Sequence, residues 1–308
     1  MSELFARVAL IGLGHIASSI GHGMKKHKLA GHVAGHTRSQ ATMDTAKRIG
    51  FIDSVHACPA EAVKDADLVL LCTPVGTFGA LAAEIAPHLK KGAILSDVGS
   101  VKMAVIRDVA PHLPDGVHFV PGHPIAGTEH SGPTSGFAEL FEGRWSILTP
   151  EAATDAAAVA RLRAFWEALG ARVEIMDAKH HDIVLATVSH VPHLIAYNIV
   201  GTAADLEEVT QNEVIKFSAS GFRDFTRIAA SDPTMWRDIF LNNREAVLEV
   251  LGRFTEDLAR LQRAVRWGRA EELFDFFTRT RAIRKQVIEA GQDTPAPDFG
   301  RRGNPEKG

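Results

Sequence analysis

The run Arg7-Val8-Ala9-Leu10-Ile11-Gly12-Leu13-Gly14-His15-Ile16-Ala17 decides how the first half of the chain is read. Its opening residues form a short apolar stretch bounded by glycine, the signature of a buried strand. A helix pattern follows and continues to about His27. Strand, glycine turn and helix in that order are the dinucleotide fingerprint in its G-x-G-x-x-A form. Gly12 permits the tight turn, Gly14 lets a pyrophosphate approach the backbone, and Ala17 is small enough for close helix packing. The phosphates would then rest on unpaired N–H groups at a positive helix end. Gly12, Leu13, Gly14, His15, Ile16 and Ala17 are therefore the expected cofactor cradle. A glycine turn in a non-binding sheet would share the pattern.

Outward from this run, strand-like and helix-like pieces alternate. Residues 31–36, 67–72, 93–97 and 117–120 read as strands, and 40–49, 77–89 and 101–109 as helices. That alternation predicts an α/β fold, a doubly wound and largely parallel Rossmann-type sheet. Residues 145–148 and 172–176 can add two more strands, with an Ala-rich helix near 155–169 between them. After Asp177 the texture changes. Long helical periodicities at 183–204, 235–264 and 270–289, without a convincing strand, predict an all-helical second domain. The expected domains are 1–177 (dinucleotide binding), 178–290 (helical, for substrate and dimerisation) and a loosely ordered tail at 291–308.

Composition narrows the function. The 308 residues are 45% hydrophobic and 23% charged, with a net charge of -3. No basic field exists to hold nucleic acid or an anionic membrane, so an anionic ligand must be held by a few placed groups. The apolar runs are short, no signal peptide is visible, and a cytoplasmic location is expected. Cys58 and Cys72 have no metal-type spacing, and Cys72 lies in an apolar run as a buried thiol would. His180, His181, His190 and His193 invite a metal reading, but no Glu follows in the H-E-x-x-H manner, and no metal is expected.

The cofactor can be read further. NAD-preferring sites end the second strand with a carboxylate on the ribose hydroxyls. Here the stretch is Gly35-His36-Thr37-Arg38-Ser39, with none. Thr37, Arg38 and Ser39 suit a 2′-phosphate, Arg38 through its charge and forked donors, which favours NADP over NAD. An exposed Arg at a helix start is the plainer alternative. Thr73 and Pro74, after the strand at 67–72, complete the expected cofactor contacts.

Further segments carry a resemblance. They are Asp97-Val98-Gly99-Ser100-Val101-Lys102, Gly122-His123-Pro124-Ile125-Ala126-Gly127-Thr128-Glu129, Ser189-His190-Val191-Pro192-His193 and Gly221-Phe222-Arg223-Asp224-Phe225-Thr226-Arg227-Ile228, followed by Ser231-Asp232-Pro233-Thr234-Met235-Trp236-Arg237. In order and spacing the chain resembles the prephenate/arogenate (cyclohexadienyl) dehydrogenases from about Val8 to Glu289. The resemblance implies a Rossmann domain with a helical dimerisation domain, a homodimer, and oxidative decarboxylation of prephenate, arogenate or both with hydride transfer to NAD(P). That chemistry needs a base of near-neutral pKa beside a ring hydroxyl and fixed cations for two carboxylates.

His123 lies just past the carboxyl end of a strand, where open sheets place ligands, and an imidazole can take the hydroxyl proton. The resemblance gives it the base role and gives Ser100 a hydrogen bond near the hydroxyl. It makes Arg227 the carboxylate holder, with planar donors suited to two-point binding. Thr128, Ser189, His193 and Trp236 match pocket-lining positions. Ser189 and His193 share a helix face if the helix runs through Pro192. Each has a plainer role open to it: helix cap, turn, loop histidine, surface Arg or core Trp. Some relatives carry a chorismate mutase or a regulatory module; neither is expected, since the fingerprint lies near Met1 and little chain follows Glu289. Two alternatives compete. A 3-hydroxyisobutyrate- or 6-phosphogluconate-type dehydrogenase would use an early lysine, for which Lys179 is available. A non-catalytic NADP(H) sensor would keep the fold and lose the site.

Overall fold

The computed structural model describes residues 3–127, 130–206 and 216–289. Six strands align in parallel: β1 (Phe5–Ile11), β2 (Ala30–His36), β3 (Ser54–His56), β4 (Leu68–Leu71), β5 (Ile94–Asp97) and β6 (His118–Phe119). Their spatial order is β3-β2-β1-β4-β5-β6. Every residue of β4 is buried, as befits a parallel strand covered on both faces. The connecting helices are α1 (His15–His27), α2 (Gln40–Ile49), α3 (Pro59–Val63), α4 (Phe78–Ile85) and α5 (Met103–Val109). Strand order reverses between β1 and β4, so a crevice opens outside their carboxyl ends.

The two additional strands expected at 145–148 and 172–176 form a second sheet. β8 (Trp145–Leu148) pairs in parallel with β9 (Arg172–Ile175) and antiparallel with β7 (Gly122–Pro124). β7 is too short, and too rich in Gly and Pro, to show alternation, yet its pairing sets His123 opposite Ile147. α6 (Ala156–Ala168) sends Leu162, Phe165 and Trp166 into the core beneath α1. The opposite core holds Val69, Leu71, Phe78 and Val105, and it also takes Trp236 and Ile239 from the helical region.

Ala178–Asp205 is one continuous helix, longer than the periodicity at 183–204 predicts. It comprises α7 (Ala178–Leu185), a π-helical turn (Ala186–His190) and α8 (Val191–Asp205). The π-turn falls just before Pro192, whose missing N–H leaves a gap in the α-helical ladder. By length and composition alone this helix could cross a membrane. It instead carries His181, Asp182 and His190 into a polar, buried network beside the sheet. Next come α9 (Ser220–Thr226), a 3-10 turn (Arg227–Ala230), α10 (Pro233–Asn242), α11 (Arg244–Arg266) and α12 (Ala270–Glu289). The helix expected over 235–264 is thus two. The break at Asn243 has a cause: its side-chain amide donates to the Asp182 carbonyl at 2.9 Å and lies 3.0 Å from His190 Nδ1.

Packing divides the chain into Met1–Val250 and Leu251–Gly308, later than the change of texture at 177/178. Helices α7, α8 and α10 pack with the sheet: His181 and Asp182 are buried in the network around His123, Tyr197 packs against one core, and Trp236 and Ile239 enter it. In the second unit, the guanidinium of Arg260 lies 5.5 Å from the Phe276 ring centre. The tail at 291–308 lies outside the described residues.

Candidate active site

A cavity of about 580 Å³ opens at the reversal point of the sheet. The turns after β1, β4 and β5 line it with Gly14 to Ile16, Cys72 to Val75 and Val98 to Ser100. His123 enters from β7, and Ser231, Asp232, Thr234, Met235 and Ile239 from the helical region.

The cradle residues divide by role. Gly12 has φ +98°, and a Cβ there would lie 2.6 Å from Thr73 Cγ2, so the turn needs glycine. Gly14 caps α1, and a Cβ on it would meet nothing within 4 Å. That open space, above N–H groups with no side-chain cap and no acidic residue in the first turn, fits a pyrophosphate. Leu13 and Ala17 are buried in the core beneath. Ile16 and His15 line the cavity; the His15 Nδ1 is 3.2 Å from the His130 carbonyl. Thr73 and Pro74 also line it, and the hydroxyls of Thr73 and Thr77 are 2.7 Å apart. At the end of β2, His36 is buried against the His56 carbonyl at 3.1 Å, while Arg38 is exposed. Ser39 caps α2, its hydroxyl accepting from the Thr42 N–H. Thr37, Arg38 and Ser39 do not line the cavity itself.

The other side of the cavity is built around His123, which is buried. Its Nδ1 lies 2.8 Å from Nε2 of His181, and His181 Nδ1 lies 2.8 Å from an oxygen of Asp182. The backbone N–H groups of Lys102 and Met103 donate to that carboxylate at 2.7 and 2.9 Å, tying α7 to the first turn of α5. The Lys102 ammonium is enclosed and donates to Asp97 and to the Gly122 carbonyl. Asp97 also accepts from the Gly99 and Gly122 N–H groups, so both residues flanking the Asp97-to-Lys102 turn are clamped. Burial holds the His123 imidazole well below its ordinary pKa, and the nearby His181, Lys102 and His190 add to the effect. His123 is therefore neutral at neutral pH. Burial likewise drives His190 down to about 4. Ser100 lines the cavity in the same turn.

Of the remaining expected residues, Ser189, His193, Arg227 and Trp236 do not line the cavity. His193 stacks on Trp236 with ring centres 3.7 Å apart, and its Nδ1–H donates to the Ser189 carbonyl at 2.8 Å. Trp236 meets His190 edge-on at 6.1 Å. Arg227 is exposed on its 3-10 turn, close enough for its charge to disfavour protonation of His193. Thr128 lies outside the described residues. Among the described residues no three His, Cys, Asp or Glu side chains gather as a metal site.

Sequence reasoning missed the network behind His123. Asp97 and Lys102 stand at the two ends of a segment singled out for Ser100, and a carboxylate and ammonium five residues apart across a turn were the available signal. His181 was weighed only as a metal ligand, and Asp182 was not singled out. Asn243 had no signal, because its bonds are tertiary.

An open helix end facing a neutral, buried imidazole across one cavity is the arrangement of a pyridine-nucleotide dehydrogenase of the Rossmann class. The family described as "Prephenate dehydrogenase, nucleotide-binding domain" matches residues 20–175, and "Prephenate dehydrogenase, dimerization domain" matches 177–279. A cyclohexadienyl dehydrogenase of Zymomonas mobilis is 42% identical over 281 residues, covering 91% of this chain and 96% of that protein. The Aquifex aeolicus prephenate dehydrogenase, solved with hydroxyphenyl propionate and NAD+, superposes with a TM-score of 0.85 at 33% identity, over 93% of this chain and 98% of that one. A Synechocystis arogenate dehydrogenase superposes with a TM-score of 0.77 at 26% identity, over 91% and 99%. The chain belongs to the prephenate dehydrogenase family. It is an NAD(P)-dependent enzyme of oxidative decarboxylation in tyrosine biosynthesis, which sets aside the hydroxyisobutyrate-type and sensor readings.

Proposed function

We propose that this dehydrogenase oxidises and decarboxylates arogenate and prephenate with His123 as the base. A bound nicotinamide would accept the hydride from the carbinol carbon. His123 accepts the hydroxyl proton, Ser100 hydrogen-bonds at the same hydroxyl, and Arg227 holds a substrate carboxylate. Ser189, His193, Trp236 and Thr128 shape the substrate end. Gly12 to Ala17, Thr73 and Pro74 form the cofactor side. The observation that carries this reading is a neutral, enclosed imidazole on the wall of the cavity onto which Gly14 and the start of α1 open.

Asp232 sorts the two substrates in this reading. It is the one carboxylate among the described residues lining the cavity. Its Oδ1 caps α10 by accepting from the Met235 N–H at 2.8 Å, and lone pairs remain for a further donor. An ammonium on the substrate side chain would be attracted there, and a keto group would not. Asp232→Asn keeps the cap and removes the charge. The expected result in steady-state assays is a ratio of arogenate to prephenate kcat/KM lowered by about 10-fold, the worth of one charge-assisted hydrogen bond. An unchanged ratio removes Asp232 from substrate choice.

NADP is the proposed preferred cofactor. The end of β2 offers Thr37, exposed Arg38 and Ser39, and no carboxylate. Arg38→Ala is expected to raise KM for NADP by about 10-fold and leave KM for NAD within about twofold. Equal KM values for NADP before and after the substitution refute the assignment.

We also place the functional division at 177/178, the protein in the cytoplasm, and homodimerisation on the helical region. Support for the dimer comes from Leu258, Phe274, Phe277 and Ile283, large apolar side chains more than half exposed on α11 and α12.

A further inference from the structure

We propose that His181 and Asp182 are a positioning pair that fixes the tautomer of His123, presenting its Nε2 lone pair to the cavity. The inference rests on His123 being the base, and it adds a reason why one particular ring nitrogen does the work. It follows from which groups can donate. Asp182 receives the backbone N–H groups of Lys102 and Met103 on its two oxygens, at the start of α5. It is therefore an acceptor, and the 2.8 Å contact with His181 needs the proton on His181 Nδ1. His181 is fully buried, so the opposite tautomer would set a bare nitrogen lone pair against a carboxylate with no water to intervene.

With Nδ1 protonated, a neutral His181 has only a lone pair on Nε2. The 2.8 Å contact to His123 then needs the proton on His123 Nδ1. Only Nε2 of His123 is left to accept a proton. When it does, the new positive charge is shared through the same two hydrogen bonds toward Asp182, while every proton on Nδ1 stays where it is. The buried ammonium of Lys102 opposes that charge, and Asp97, bonded to it, offsets the opposition. His190, from the π-turn, is the remaining titratable neighbour of His123, and it is neutral. The helix starting at Ala178 thus supplies the orienting partners, and the strand supplies the base.

The test uses the full chain with His181→Leu and His181→Gln, assayed with saturating cofactor, and 15N NMR of the wild-type histidines. Gln can place a carbonyl oxygen near the lost Nε2 and accept from His123; Leu cannot. His181→Leu is expected to lower kcat by about 10²–10⁴ with KM for substrate and cofactor changed less than about threefold, the upper end being the loss caused by a wrong tautomer. His181→Gln should recover kcat to within about 10-fold of wild type. The wild-type spectrum should show His123 protonated at Nδ1 and bare at Nε2. A spectrum with His123 protonated at Nε2 overturns the proposal, whatever the variants do. So does His181→Leu turning over at the wild-type rate, or both variants losing the same activity. If His123→Asn also keeps its turnover, the base assignment itself fails; if His123→Asn is inactive while His181→Leu is not, only the positioning pair fails.

Discussion

His123→Asn is expected to lower kcat by about 10²–10⁴, the usual worth of a general base, while substrate KM stays within a few-fold of wild type. Asn occupies similar space and can keep a hydrogen bond toward His181, but it cannot take a proton from the carbinol. Wild-type turnover in this variant would remove His123 from the mechanism. The wild-type pH profile provides a second check. The base works in its neutral form, and burial together with His181, Lys102 and His190 lowers its pKa. Activity should therefore persist as pH falls through the ordinary imidazole value of 6.5 and decline only below it. An acidic limb in kcat/KM centred above that value would contradict the burial of a neutral ring.

Arg227→Leu should act on the other kinetic parameter. The loss of one charge-assisted, forked contact to a carboxylate is worth about 1.5–3 kcal/mol, or about 10- to 150-fold in substrate KM, with kcat less affected. Arg227→Lys should recover only part of this, because an ammonium has charge without the planar fork. Arg227→Leu, unlike Arg227→Lys, also removes the positive charge near His193, so the His193 imidazole should protonate more readily, which NMR titration would register. If Arg227→Leu leaves the KM for both substrates unchanged, the carboxylate is held elsewhere.

The parallel sheet was legible because its strands are buried on both faces, and runs such as Leu68–Leu71 announce themselves. The cradle was legible because Gly12 and Gly14 answer to local backbone geometry. β3 and β7 were not, since three-residue strands carry no periodicity and exist only through their pairing. The split of the helix at Asn243 depends on contacts with Asp182 and His190, which lie far off in sequence. In the site, His123 and Ser100 were readable from segments that also resemble the family. What orients His123 was not. Asp182 lies 80 residues from the Lys102 N–H that it accepts. Arg227, His193 and Trp236 come from three segments of the helical region, and sequence order alone could not separate the residues on the cavity wall from those beside it.

The enclosed ion pair of Asp97 and Lys102 has an evolutionary corollary. Loss of either member alone strands a charge away from water, a defect of about 3–5 kcal/mol, a large share of the roughly 5–15 kcal/mol that keeps a domain folded. These two sites can therefore drift only in concert, and a descendant lineage must pass through a crippled intermediate or not move at all. Divergence of this enzyme toward new substrates is accordingly channelled to the helical wall of the cavity, where Thr234, Met235 and their neighbours can change one at a time.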